Sequence, residues 1–170
     1  MKNIKNNIKL LAVALAMTAT LASCDDKRGY DDYEPGGSPT QAMNGEWWID
    51  ITDEATGDLQ VAHALHKTYD DNNGRMYISD RSGSSFTGWW LESLVDVNTS
   101  DMSFSATDEF NFADESAVTI TEGKIYKNAG HSRTGVVTDS IAFKAVFDYD
   151  PGTTLLFTGH KRTGFEEDEY

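Results

Sequence analysis

Four histidines, one cysteine and 28 acidic residues are the groups in this 170-residue sequence with the capacity for chemistry. His63-Ala-Leu-His66 has the composition of a metal pair. On a strand, however, side chains three positions apart leave opposite faces, and a metal needs three or four converging ligands. No metal is expected. The acidic run Asp70-Asp-Asn-Asn-Gly74 resembles part of a Ca²⁺ loop but lacks the alternating Asx spacing and the later bidentate Glu. It reads instead as a hairpin turn around Asn73-Gly74. Acyl hydrolysis needs a nucleophile, a base and an orienting acid within hydrogen-bond reach. The Gly-x-Ser-x-Gly elbow is absent, and Ser132 lies in a polar stretch, Gly130-His-Ser-Arg-Thr-Gly135, without the strand–turn–helix context an elbow requires. A set such as Ser140, His160 and Asp139 is recognised only by geometry. The sequence therefore names no catalytic residue, and no cofactor is expected.

Cys24 carries a more specific signal. Lys2, Lys5 and Lys9 precede or flank an apolar stretch from Ile8 to Leu21, followed by Leu21-Ala-Ser-Cys24 and then Asp25-Asp26. A basic start, a short apolar core and small residues before a cut describe a secretory leader, and a cysteine just after the cut makes it the lipid-modified kind. The stretch is shorter than the roughly 20 apolar residues a membrane helix needs. Cys24 is the sole cysteine, so it forms no disulfide within this sequence and is best read as an acylation site. Several acyl chains anchor stably where one is marginal. The expected location is the cell envelope, as an outer-membrane lipoprotein tethered to a membrane it does not cross. Residues 1–23 are the leader, 24–42 the acylated cysteine and a flexible Gly-, Pro- and acid-containing tether, and 43–170 the folded domain.

Removing the leader takes away three Lys and no acid, leaving 11 basic against 28 acidic residues and a formal charge of −17. Such a surface repels nucleic-acid phosphate and favours solubility. From Met43 onward, runs with period-two alternation are separated by turn signals. They lie over 47–52, 59–67, 75–79, 86–98, 102–106, 117–127, 140–148 and 153–161, with turns at Glu122-Gly123 and Asp150-Pro-Gly152. No stretch after the leader has a helical period. About eight strands at meander spacing predict an all-β fold, an antiparallel up-and-down barrel. At that size a barrel holds its own side chains or one small ligand.

The alternation assigns Trp47, Ile49, Val61, His63, Leu65, Phe104, Ile141, Phe143 and Phe147 to the inner wall. Trp47-Trp48 and Trp89-Trp90 are adjacent pairs, so on strands one ring of each points in and the other out. The outer rings are either partly covered neighbours of a core Trp or an aromatic platform for a sugar, lipid or protein. His160 and Arg162, at the end of the last strand, either clamp the acidic run Glu166-Glu-Asp-Glu169 or meet the polar head of a ligand.

Several stretches together resemble a known family: Met43-Asn-Gly-Glu-Trp-Trp-Ile49, Met102-Ser-Phe-Ser-Ala-Thr-Asp108, Asp139-Ser-Ile141, Asp150-Pro-Gly-Thr-Thr154 and, most specifically, Gly159-His-Lys-Arg-Thr-Gly-Phe165. The chain is similar to Bacteroidetes lipoproteins labelled "lipid-binding putative hydrolase". The resemblance implies a calycin-like (lipocalin-like) barrel and an apolar or amphipathic ligand; hydrolase activity enters only through the label. Asp25-Asp26 is similar to the acidic signal for surface export in those bacteria. Asp139-Ser140-Ile141 is similar to their O-glycosylation motif at Ser140, and equally to a strand start. The expected protein is an anchored, ligand-binding barrel. The alternatives are a solid barrel acting as an interaction subunit of an envelope complex, its protein partner unknown, and a hydrolase.

Overall fold

Strands that alternate apolar and polar residues must hide one face, and this chain hides it by closing a single sheet on itself. The computed structural model describes residues 37–80 and 89–170. Eight strands follow one another: β1 (Gly45–Asp53), β2 (Leu59–Asp70), β3 (Met76–Ser79), β4 (Glu92–Asn98), β5 (Ser103–Asn111), β6 (Ser116–His131), β7 (Val137–Phe147) and β8 (Leu155–Lys161). Each is antiparallel to the next. β8 returns to β1 in unbroken register from Trp47↔Lys161 to Asp53↔Leu155, closing the barrel. The expected all-β, eight-stranded up-and-down barrel is thus the observed fold. Closure removes the edges that would otherwise expose unpaired backbone.

β7 shows the simplest link from sequence to wall. Ile141, Phe143, Ala145 and Phe147 are all buried, while the residues between them are half-exposed. They meet Ile49 and Ile51 of β1, Phe104 of β5, Ile120 and Ile125 of β6 and Phe157 of β8 in one core. Phe143 and Phe157 lie opposite each other on neighbouring strands and stack, with ring centroids 4.4 Å apart.

Bulges interrupt the alternation, and three share one device. In β2, Ala62 and His63 together oppose Asp50; His63 has φ 52°, and its backbone N–H donates to the Asp50 carboxylate at 2.8 Å. In β6, Asn128 (φ 54°) donates likewise to Asp139 at 3.1 Å. In β5, Asp108 (φ 51°) donates to the Thr119 hydroxyl at 3.1 Å. A bulged N–H loses its ladder partner, and a polar side chain on the adjacent strand replaces it.

The β2 bulge changes which residues face inward. Val61 packs against the core, but beyond the bulge Ala64, His66 and Thr68 are the buried positions. His63 and Leu65, expected inside, belong to the outer face. His63 is exposed and Leu65 sits opposite the outward Trp48. The two histidines have exchanged places. Glu122-Gly123, expected as a turn, is a further bulge within the long strand β6. Gly123 lies opposite Phe104, and any Cβ there would collide with the Phe104 ring and carbonyl.

The packed region begins earlier than residue 43. Thr40 is fully buried and bonds Asp70 through both its N–H (3.2 Å) and its hydroxyl (2.7 Å). A short 3-10 turn, Gln41–Met43, places the buried Met43 at this end of the barrel, and the Met43 carbonyl accepts from the Thr68 hydroxyl at 2.7 Å. Cys24, the leader and the tether up to residue 36 lie outside the described residues, as do residues 86–88 of the expected fourth strand. Trp89 and Trp90 precede β4 rather than forming part of it.

Candidate functional site

One polar side chain stands out in the apolar interior. His66 is fully buried, and its Nδ1 lies 3.1 Å from the Ala64 carbonyl, which fixes Nδ1 as the protonated nitrogen. Its Nε2 is buried with no hydrogen-bond partner. Burial pushes the imidazole pKa down to about 4, against a smaller opposing effect of the Ala64 bond, so the ring is neutral near pH 7. A bare acceptor in apolar surroundings carries the full desolvation penalty, about 1–3 kcal/mol. A hydroxyl or protonated carboxyl group brought to Nε2 removes that penalty.

A file of aromatic rings joins His66 to the barrel surface. His66 meets Phe157 edge-on at 5.9 Å, Phe157 stacks on Phe143, and Phe143 touches Phe104 at 5.7 Å. Phe104 forms the floor, with Val97 and Gly123, of an open hollow of about 400 Å³ at the corner between β4 and β5. The rim is polar: Asp96, Asn98, Ser103, Ser105 and Glu122. Arg75 holds Asp96 at 2.8 Å and Lys144 holds Glu122 at 2.8 Å. An apolar floor with a polar rim suits an amphipathic molecule.

Of the residues expected to line the interior, Trp47, Ile49, Phe104, Ile141, Phe143 and Phe147 are in the core, and Val61 packs against it. Trp47 is fixed by its indole N–H, which donates to Thr68 at 2.9 Å. His66 was missed because a bulge cannot be read from alternation; the positive-φ position and the facing Asp50 mark it only once the strands are paired.

The remaining expected residues lie on the outside of β2, β1, β8 and β7. Trp48 faces outward yet is only 7% exposed, because Tyr170 covers it edge-on at 5.4 Å. Tyr170 also stacks on His63 at 3.8 Å, and the His63 Nδ1 lies 3.2 Å from Asp50. Burial, reinforced by the nearby His63, lowers the His160 pKa. Arg162 brackets Glu169 at 2.7 and 3.0 Å and Glu46 at 2.6 Å. Asp168, almost fully buried, accepts from the Thr134 N–H at 2.8 Å and the Thr163 hydroxyl at 2.7 Å. Burial acts to raise its pKa, but these bonds outweigh burial and hold the carboxyl well below its usual range. The segment 163–170 is thereby strapped across the β1–β8 wall.

Ser140 lies opposite His160 across β7 and β8, while Asp139 is engaged by Lys127 at 2.9 Å and by Asn128. Both Asp139 carboxylate oxygens are thus directed to the β6 bulge.

The family described as lipid-binding putative hydrolase matches the sequence over residues 32–166. The chain belongs to this lipid-binding family. That match takes in every strand of the barrel. The family and the β-barrel together fit a lipid-binding function. No curated protein matches the sequence.

Proposed function

We propose that this protein is a membrane-anchored lipoprotein whose barrel binds a small apolar or amphipathic molecule without covalent chemistry. The observation that carries the reading is the aromatic file from the β4–β5 hollow to the unpartnered Nε2 of His66. Ligand tails lie along the rings of Phe104, Phe143 and Phe157, which turn aside to admit them, and a donor on the ligand reaches Nε2. Buried apolar area supplies most of the affinity, about 25 cal/mol per Å². Acylation of Cys24 holds the domain in the cell envelope, at the outer membrane, with Asp25-Asp26 directing it to the surface.

Native mass spectrometry of the full chain, isolated in mild detergent and followed by lipid extraction, tests the ligand reading. A co-purifying species lost in His66→Leu and Phe104→Ala supports it. An empty barrel that also ignores palmitic acid and a long-chain alcohol counts against it. Labelled palmitate incorporated into the wild-type chain but not into Cys24→Ala tests the anchor.

A second reading has its own support. Phe143 and Phe157 are almost fully buried and stacked, so the interior is occupied by the protein's own side chains. A solid barrel of this kind serves as a non-enzymatic interaction subunit, and the empty-barrel outcome favours it.

A further inference from the structure

The outer face of β2, β3 and β4 carries a second set of groups that the interior does not use. Lys67, Ser79 and Glu92 lie in one row across the three strands, by the pairs Lys67↔Ser79 and Ser79↔Glu92. With Tyr69 they line a surface groove of about 310 Å³. Two strand spacings, about 10 Å, separate the backbone positions of Lys67 and Glu92, so a cation and an anion flank the groove.

Lys67 is the exception among the basic groups. Lys124, Lys127, Lys144, Arg75 and Arg162 all pair with carboxylates, and Lys161 and Arg133 donate to backbone carbonyls. Among the described residues, Lys67 alone of the basic side chains has no such partner, although acidic residues outnumber basic ones 28 to 14 in the sequence. Beside the groove, Tyr69 stacks on Tyr77 at 5.0 Å, Tyr77 meets Phe112 at 6.1 Å and Phe112 meets Phe110 at 4.9 Å. Phe110 and Phe112 are each 47% exposed. The Tyr69 hydroxyl donates to Glu92 at 3.1 Å. Burial and that carboxylate push the Tyr69 pKa up to about 12, so the hydroxyl keeps its proton.

We infer that this face binds a neutral oligosaccharide, with one sugar ring in the groove and the next along the aromatic row. Sugar hydroxyls accept from Lys67 at one side of the groove, while the C–H faces of sugar rings pack on the aromatic side chains beside it. A lipid tail has no use for the flanking charges. An anionic glycan is disfavoured by the protein's negative field. A continuous ring row, rather than one ring, favours a chain over a single sugar.

The test is calorimetric titration of the full chain with neutral gluco-, manno- and galacto-oligosaccharides of two to six units. Binding that strengthens with length is expected for at least one series. Lys67→Met removes a charge-assisted hydrogen bond and weakens it about tenfold. Phe112→Ala weakens it a few-fold. Circular dichroism checks that both variants remain folded, which their surface positions predict. His66→Leu leaves sugar binding unchanged, separating this site from the interior. Failure of every series to bind, or binding indifferent to both Lys67→Met and Phe112→Ala, overturns the proposal, as does a preference for an acidic glycan or for phosphatidylcholine vesicles.

Discussion

The wall formed by β8, β1 and β2 and the wall formed by β3, β4 and β5 are made from the same kind of alternating sequence but are finished differently. On the first, β1 is covered from both sides at its centre: Ile49 and Ile51 face the core, and Trp48 is roofed by Tyr170. Gly159 lets β8 approach so closely that an added Cβ would strike the Trp48 carbonyl. On the second, β3 has only four residues, the β4–β5 register slips between Ser93 and Asp96, and a hollow opens beside Phe104. A closed barrel need not be uniformly tight: the β1–β8 side is shut, and the β4–β5 side carries an open hollow.

The comparison can be broken most forcefully at the tight wall. Trp47→Ala empties a fully buried ring and removes the hydrogen bond it donates to Thr68, and should lower unfolding free energy by about 3–5 kcal/mol, measured by denaturant titration. Val97→Ala, at the open corner, should cost well under half as much, about 1 kcal/mol, because Val97 is only partly buried. Equal losses at the two positions would erase the distinction.

The next effect is a pH dependence. The folded His66 pKa is about 4 against 6.5 in the unfolded chain. Below pH 6.5 the unfolded chain takes up a proton that the fold refuses. Stability is therefore full above about pH 6.5 and declines towards pH 4, by on the order of 3 kcal/mol. His160, also lowered, adds in the same direction. Replacing His66 by Leu should flatten most of this slope in chemical denaturation at pH 7, 5.5 and 4.5. A slope unchanged in the variant would remove His66 as its source.

The smallest effects concern the strap. Tyr170→Ala should cost at most about 1 kcal/mol yet red-shift tryptophan fluorescence as Trp48 meets water. Lys144→Ala, which loses ion pairs with Glu54 and Glu122 at 2.8 Å each, should change the melting midpoint little, since exposed pairs are worth about 0–1 kcal/mol.

Much of the barrel was legible in the sequence because β-strands announce themselves by period. Ile141, Phe143, Ala145 and Phe147 alternate without a fault, and all four are buried. The Asp70–Gly74 turn was legible too: the Asp70 and Asp71 carboxylates bond the local N–H groups of Asn72, Asn73 and Arg75. What escaped was set by neighbours distant in sequence. The bulge at His63 exists because Asp50, thirteen residues earlier, captures its N–H. That single insertion moved His63 out and His66 in, and placed the unpartnered Nε2 of His66 in the interior. Thr40 resembles tether until Asp70 is known to lie beneath it. Membership of the lipid-binding family agrees with the resemblance carried by Gly159-His-Lys-Arg-Thr-Gly-Phe165 and its companion stretches.

The pairing of β1 with β8 has a consequence for how the molecule comes into being. Trp47 finds Lys161 only after more than a hundred intervening residues exist. Contacts so remote in sequence make for slow assembly. The nascent chain has no nearly finished cylinder in which to wait, and its greasy inner stripe stays uncovered until the last strand arrives. The seam that makes the mature protein durable is also the step at which its youth is most exposed to misassociation.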